Sequence, residues 1–343
     1  MTLLQLKCRS GMKVSHYNQM MNYTASENAN ALVAAVDLGG TNIRAALCDG
    51  AGHILKRTKQ LTHPEDGPAA VIERIVQSVH EVMPRDQPVR AVGVASPGPL
   101  NPFTGVVLVA PNLRWRAVPL RAELHKALNL PVEINNDANL AALGEQQYGA
   151  AQGKKDMAYV TLSTGIGCGV ILNNQLVLGA RGLATELGHM SVAFNSSVNY
   201  NGLPGALEGL AAGPAIAALA QTKLAEGRPS LMRELVGGHI NQVTAKEVGE
   251  AAAQGDGLAL EIVSYLARVI GMGLVNLLHL FDPDVVVVGG SVALMGDVLM
   301  HPIVATVKEC ALEPYQHIPI VPAQLGDDSG LLGAAALAMQ ITE

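Results

Sequence analysis

A chain of 343 residues is longer than one hydrophobic core usually serves, so two lobes are expected. Hydrophobic residues at 49% and charged residues at 15% mark a folded globular protein and exclude a disordered one. A net charge of −6 and only 3% aromatic residues disfavour a nucleic-acid surface and a base-stacking platform. Cys8, Cys48, Cys168 and Cys310 show no paired spacing, which signals neither a disulfide framework nor a closed zinc site. Reduced, separately buried thiols in a cytoplasmic protein are the simpler reading. Residues 1–15 lack the apolar stretch of a secretory signal, and no uninterrupted apolar run reaches membrane-spanning length.

Residues 1–30 are polar and without period, and read as a loose extension. From Ala31 onward, β-rich runs alternate with helical stretches, which predicts an α/β architecture. Ala31–Val36, Ile43–Leu47 and His53–Gln60 read as three hairpin-linked strands. The turn between the first two, Asp37-Leu38-Gly39-Gly40-Thr41, suits a phosphate chain. Glycine lets backbone N–H groups approach an anion, the Thr hydroxyl adds a donor, and Asp37 offers charge for a hydrated Mg²⁺. An ordinary Gly-Gly hairpin turn explains the same residues. A helix follows with apolar positions Val71, Ile72, Ile75, Val76 and Val79. Val89–Val94 is a buried strand ending on Ser96-Pro97-Gly98-Pro99, and Val106–Val109 reads as another strand.

Pro131–Asn135 is a strand running into a helix from Ala138 to about Tyr148. At the junction, Asn136 can hold a ligand hydroxyl while Asp137 accepts its proton, or Asp137 simply caps the helix. Met157–Leu162 is a strand, Ser163–Gly169 a glycine loop and Val170–Leu172 the returning strand. Strand, Gly/Thr turn, strand therefore occurs twice, a weak internal symmetry that fits two related lobes, each lending a phosphate-gripping hairpin to a shared cleft. Asp284–Val288 is an apolar strand ending in Gly289-Gly290-Ser291. Asp327-Asp328-Ser329-Gly330 is a capping signal for the helix Leu331–Met339.

Taken together, DLGGTNIR (37–44), SPGPLNPFTGVV (96–107), APNLRW (110–115), NNDANLAALGE (135–145), TLSTGIGCGV (161–170), ELGH (186–189), LEGLAAG (207–213) and VVVGGSV (286–292) resemble the ROK family. The family takes its name from repressor, open reading frame and kinase, and the resemblance runs from about Val33 to Met339, most like the bacterial glucokinases. It implies an actin-like (ribonuclease H-like) α/β fold of two lobes closing over ATP and a hexose. The lobes would be residues 31–146 plus 326–343, and 147–325. The resemblance makes Asp37 a holder of Mg²⁺ through water, and Gly39, Gly40 and Thr41 phosphate contacts. Thr164, Gly165 and Gly167 would form the second phosphate loop, and Gly289 and Gly290 would border the adenine. Pro97, Gly98, Asn112, Asn136, Glu186, His189 and Glu208 would hold or shape the site for the sugar, with Asp137 as general base. Arg44 reads as a strand-face residue.

One stretch departs from the pattern. The family usually carries CxCGxxGCxE after ELGH, three thiolates that bind structural zinc with the His. Here residues 199–208 read NYNGLPGALE, with Asn199, Asn201 and Ala206 at the cysteine positions. Amides and a methyl do not replace thiolates, so no zinc is expected. His189 is left to touch the sugar or to make a loop hydrogen bond. Packing around Phe194, Tyr200 and Leu203, or a second subunit, would brace the loop instead.

The expected function is an ATP-dependent hexose kinase acting on the 6-hydroxyl of glucose, with N-acetylmannosamine or another hexose as the alternative. Homodimers or homotetramers, and no nucleic-acid or membrane partner, are expected. A sugar-responsive repressor or an inactive sugar-binding protein fits less well. Only 36 residues precede Asp37, with Lys7, Arg9 and Lys13 as their bases, too few to grip a duplex.

Overall fold

The computed structural model describes residues 31–341; the expected extension, residues 1–30, lies outside them. The chain divides into two compact units. The first comprises the residues up to Tyr148, Val177–Ala184 and the chain from Asp328; the second comprises Gly149–Leu176 and Thr185–Asp327.

In the first unit, β1 (Leu32–Leu38), β2 (Asn42–Cys48) and β3 (Ile54–Leu61) form an antiparallel meander. β4 (Val89–Ser96) lies parallel to β1. A small sheet follows, made of β5 (Leu100–Asn101), β6 (Val106–Ala110) and β7 (Trp115–Val118). β8 (Val132–Asn136) then lies parallel to β4, closing a five-stranded sheet of order β3-β2-β1-β4-β8. β1 and β4 are buried apolar runs, the signature of strands covered on both faces. Helix Pro68–Val82 starts with proline at its first turn and buries Val71, Ile75, Val79 and Val82, an i, i+4 stripe against this sheet.

Helices Asp137–Tyr148 and Ser329–Met339 have no separate polar face, and apart from their terminal residues they are buried all round. They cross at backbone contact, which glycine alone permits. A Cβ on Gly333 would stand 1.6 Å from the carbonyl oxygen of Leu140, and one on Gly144 2.5 Å from that of Ser329. Likewise a Cβ on Gly93 of β4 would stand 1.8 Å from the carbonyl oxygen of Ala334. The expected cap at Asp328 is replaced. Gly326–Asp328 forms a 3-10 turn, Asp328 gives no side-chain cap, and the Ser329 hydroxyl donates to buried Glu145 at 3.1 Å.

The second unit repeats the first sheet. β9 (Met157–Leu162), β10 (Ile166–Leu172) and β11 (Gln175–Leu176) are antiparallel neighbours. The hairpin β12 (Asn199–Tyr200) and β13 (Leu203–Pro204) follows. β14 (Val285–Gly289) lies parallel to β9, and β15 (Ile320–Pro322) parallel to β14. The order β11-β10-β9-β14-β15 matches the first sheet in sequence and in strand sense. The stretch read as a loop through Gly169 is shorter than expected: β10 already starts at Ile166, because Gly167 and Gly169 pair with Thr161 and Tyr159.

Helix Gly257–Phe281 has the length and apolar content to cross a membrane, although Glu261 and Arg268 interrupt it. Most of its apolar residues are buried, and it packs against helices Ala245–Ala253 and Asp297–Cys310, while Leu260, Tyr265 and Leu280 are exposed. Cys48 and Cys168 are buried as expected, whereas Cys310 is half-buried at that last helix's end, and no disulfide joins the described cysteines.

Gly333→Ala is expected to destabilise the protein by about 2 kcal/mol or more, since the carbonyl it meets is backbone and cannot rotate aside. Gly257→Ala, which meets nothing within 4 Å, is expected to stay within about 0.5 kcal/mol. Urea unfolding of the two variants checks this.

Candidate active site

The chemistry-bearing residues of the first unit gather at the carboxyl ends of three adjacent parallel strands, where open α/β sheets bind ligands. Asp37 is near the end of β1, Ser96-Pro97-Gly98 at the end of β4, and Asn136-Asp137 at the end of β8. Gly39-Gly40-Thr41 links β1 to β2. Its shape is held by a residue that sequence reasoning missed. Buried Thr62 donates its backbone N–H to the Thr41 carbonyl at 2.9 Å and its hydroxyl to the Gly39 carbonyl at 2.7 Å. A lone Thr just past β3 carries no motif, and pairing register alone could have found it. Gly40 lies against Asn112, where a Cβ would come 2.9 Å from the Asn112 Cβ. The exposed Asn112 amide on the turn Pro111–Leu113 is thus beside the glycine turn.

Arg44 is directly opposite Asp37 in the β1–β2 register, and its guanidinium gives both of its bonds to Asp37 Oδ2, the Nε bond at 3.0 Å. Arg44 is therefore more than a strand-face residue. Oδ1 faces the start of helix Ser329–Met339, 3.8 Å from where a Cβ on Gly330 would be. A carboxylate with one oxygen neutralised and the other facing a glycine fits a hydrated Mg²⁺ held through water.

At the end of β8, the polar side chains divide the work. Asn135 is buried and accepts from the Asn136 N–H at 2.8 Å and the Asn139 amide at 3.0 Å. The Asn136 side-chain oxygen takes the Ala138 N–H at 2.9 Å, an N-cap bond. Asp137 is exposed in the first turn, with Oδ1 on the same Ala138 N–H at 2.8 Å. Capping therefore does not depend on Asp137 alone. Gly98 adjoins Asn136, its absent Cβ 3.7 Å from Asn136 Nδ2, and Pro97 is half-buried beside it.

In the second unit the turn Ser163-Thr164-Gly165 is tied on three sides. Ser163 N–H donates to the Gly165 carbonyl at 2.9 Å. Gly213 N–H donates to the Ser163 carbonyl at 2.8 Å, and the Ser163 and Ser291 hydroxyls are 3.1 Å apart. A cavity of about 730 Å³ opens here, lined by Thr164, Pro214, Lys246, Ser291, Val292 and Met295 among others. Gly167 is within β10, Gly289 packs on Tyr159, and Gly290 (φ 90°) packs on the Leu162 backbone. The cavity wall beyond β14 is formed by Ser291 and Val292, which sequence reasoning left out of the site.

Glu186, His189 and Glu208 form a second group. Glu186 is exposed, with Oε2 3.5 Å from His189 Nδ1. Thr185, just before it, is a β-branched residue at φ 68°, held by a 2.9 Å bond from its hydroxyl to the Cys168 carbonyl. Glu208 accepts the Ile166 N–H at 2.7 Å and also the Tyr200 hydroxyl. That bond, with burial, raises the Tyr200 phenol above its ordinary value. Around His189 are the Asn201 amide at 3.5 Å from Nε2 and the Tyr200 ring at 5.7 Å. An amide, a phenol and one carboxylate do not fit a thiolate zinc site. Phe194 is 83% exposed and Leu203 37%, so the expected packing brace reduces to Tyr200.

Comparison with known proteins identifies the family. The ROK family model matches residues 33–341. The chain belongs to the ROK family. It is 34% identical to a glucokinase of Streptomyces coelicolor over 319 residues, 90% of this chain and 98% of that one. It is 29% identical to a putative xylose repressor of Caldicellulosiruptor, over 89% of this chain and 77% of the relative. Among solved structures, a ROK family glucokinase from Streptomyces griseus in complex with glucose and AMPPNP superposes with a TM-score of 0.78. It is 36% identical, and the match covers 90% of this chain and all of that one. The repeated sheets are those of the actin-like fold.

Burial pushes the Cys48 and Cys168 thiols up to about 12, with Asp49 and Glu186 adding to the respective effects. Their thiolate fraction near pH 8 is then about one part in 10⁴. Maleimide at that pH is expected to label Cys310 and spare Cys48 and Cys168, as read by peptide mass spectrometry.

Proposed function

We propose that this protein is an ATP-dependent hexose kinase, with glucose the foremost substrate and the 6-hydroxyl the acceptor. The observation that carries the reading is Asp137, an exposed carboxylate at a strand end two strands from a clamped Gly-Gly-Thr turn, with Asn136 sharing the capping of its helix. Asp137 accepts the proton of the 6-hydroxyl as that oxygen attacks the γ-phosphorus, and the bond to the β-phosphate oxygen breaks to release ADP. Thr164, Gly165 and Gly167, like Gly39, Gly40 and Thr41, offer backbone or hydroxyl donors to the phosphates, while Gly289 and Gly290 shape the chain toward the adenine. Asn112, Asn136, Glu186, His189 and Glu208 distinguish a polyol from an apolar ligand by giving and accepting hydrogen bonds, with Pro97 and Gly98 shaping the loop. Mg²⁺, held by Asp37 through water, would supply neutralising charge to the transferring phosphates.

Asp137→Asn is expected to lower kcat by about 10²–10⁴-fold with the glucose KM nearly unchanged. A coupled ADP-release assay reads this, and turnover equal to that of the unsubstituted protein overturns the assignment. Run over a panel including N-acetylmannosamine, the assay also ranks the acceptors, and with polyphosphate in place of ATP it identifies the donor.

The reading extends to a cytoplasmic homodimer or homotetramer with no nucleic-acid or membrane partner, and to a protein without structural zinc. Elemental analysis of the purified protein is expected to find no stoichiometric zinc. One zinc per chain would contradict the donor set around His189.

A further inference from the structure

Glu208 is gripped from two directions. The turn of the second hairpin closes on Oε2: the Ile166 N–H donates at 2.7 Å, and Cβ atoms on Gly165 and Gly188 would stand 2.8 and 3.1 Å from that oxygen. On the other side the Tyr200 hydroxyl donates to Oε1. Tyr200 itself is fixed. It pairs with Leu203 across a hairpin whose two turn residues, Asn201 and Gly202, have φ of 51° and 85°, the twist that two-residue hairpins favour. The Gly202 N–H returns to Asn199 Oδ1 at 2.9 Å. The hairpin base is pinned by Gly205 N–H to the Val198 carbonyl at 2.8 Å and by the Ser191 hydroxyl to the Pro204 carbonyl at 2.7 Å. Gly209 lets the phenol lie on the helical turn after Glu208, since a Cβ there would meet Tyr200 Cβ at 2.7 Å.

We infer that Tyr200 is a positioning residue for sugar recognition: its hydroxyl orients the Glu208 carboxylate, and the hairpin that carries it supplies the bracing that metal-binding residues do not supply here. This rests on the reading of Glu208 as a hexose contact. A carboxylate on a three-torsion side chain presents its lone pairs in many directions when free. With one oxygen on a backbone N–H and the other on a phenol, its plane is set and the remaining lone pairs point one way. Removing the hydroxyl leaves the charge in place and frees its direction. The loss therefore falls on binding of the sugar and leaves phosphoryl transfer intact.

The test is steady-state kinetics and calorimetric glucose binding for Tyr200→Phe, Glu208→Gln and the double variant. Tyr200→Phe is expected to raise the glucose KM and Kd about tenfold, with kcat and the ATP KM within twofold. In the Glu208→Gln background the same change is expected to have less than a twofold effect, because the group it orients is gone. A merely structural role moves both backgrounds equally, so an equal effect overturns the inference even if Tyr200→Phe also lowers the thermal midpoint. Glucose kinetics unchanged in Tyr200→Phe but impaired in Glu208→Gln also overturn it, while leaving the hexose-kinase reading intact. An unsubstituted protein that neither binds nor phosphorylates any hexose removes both.

Discussion

The first unit depends on one steric constraint, the backbone-to-backbone approach of helices Asp137–Tyr148 and Ser329–Met339 to each other and of the latter to β4. Gly93, Gly144 and Gly333 are where no side chain fits. Both helices are small-residue rich and lack a polar stripe, so each must be covered on every side, and close approach is how short side chains achieve that. The functional groups follow from this contact. One helix begins with Asp137 at the end of β8, and the first turn of the other carries Gly330 beside Asp37. The buried bond from Ser329 to Glu145 ties the start of one helix to the third turn of the other, where an unpaired carboxylate would be costly. A shift at the crossing would move Asp137 and Asp37 together.

The two five-stranded sheets share order and sense, so each unit has a glycine-rich turn between its central strand and the antiparallel neighbour. The turns are stiffened differently. In the first unit Thr62 reaches in from β3 and satisfies two carbonyls of the turn. In the second the start of helix Gly213–Ala225 and the segment after β14 do the work, through Gly213 and Ser291. Turns held in this way need little reorganisation to present their backbone donors, which is the condition under which backbone dipoles stabilise charge well.

Much of this was legible in the sequence because strands announce themselves by apolar runs and turns by Gly-Gly-Thr. β1, β2, β9 and β14 lie where the apolar runs put them, to within two residues. The failures share a cause: side-chain partners distant in sequence. Asp327-Asp328-Ser329 reads as a cap, yet Ser329 finds Glu145, 184 positions away. Thr62 and Ser291 act through register, which periodicity does not encode. Phe194 and Leu203 look like a packing brace by residue type, but both are exposed. The pairing of Arg44 with Asp37 was recoverable in principle, since a short turn after Leu38 sets residues 37 and 44 opposite each other.

The Tyr200–Glu208 pair differs from a metal brace in kind. Zinc held by thiolates fixes a loop whatever the nearby carboxylate does, because its ligands are satisfied by the metal. A phenol donating to the carboxylate makes the hairpin and Glu208 one hydrogen-bonded unit. The bond to Glu208, helped by burial, raises the Tyr200 phenol above its ordinary value, so the hydroxyl keeps its proton throughout the neutral range and remains a donor. The carboxylate cannot turn away without leaving that donor and the Ile166 N–H unpaired at once. Loop order in this chain is therefore coupled to the orientation of the Glu208 carboxylate. Any ligand that needs that carboxylate correctly aimed meets a loop already held in place by the same two hydrogen bonds.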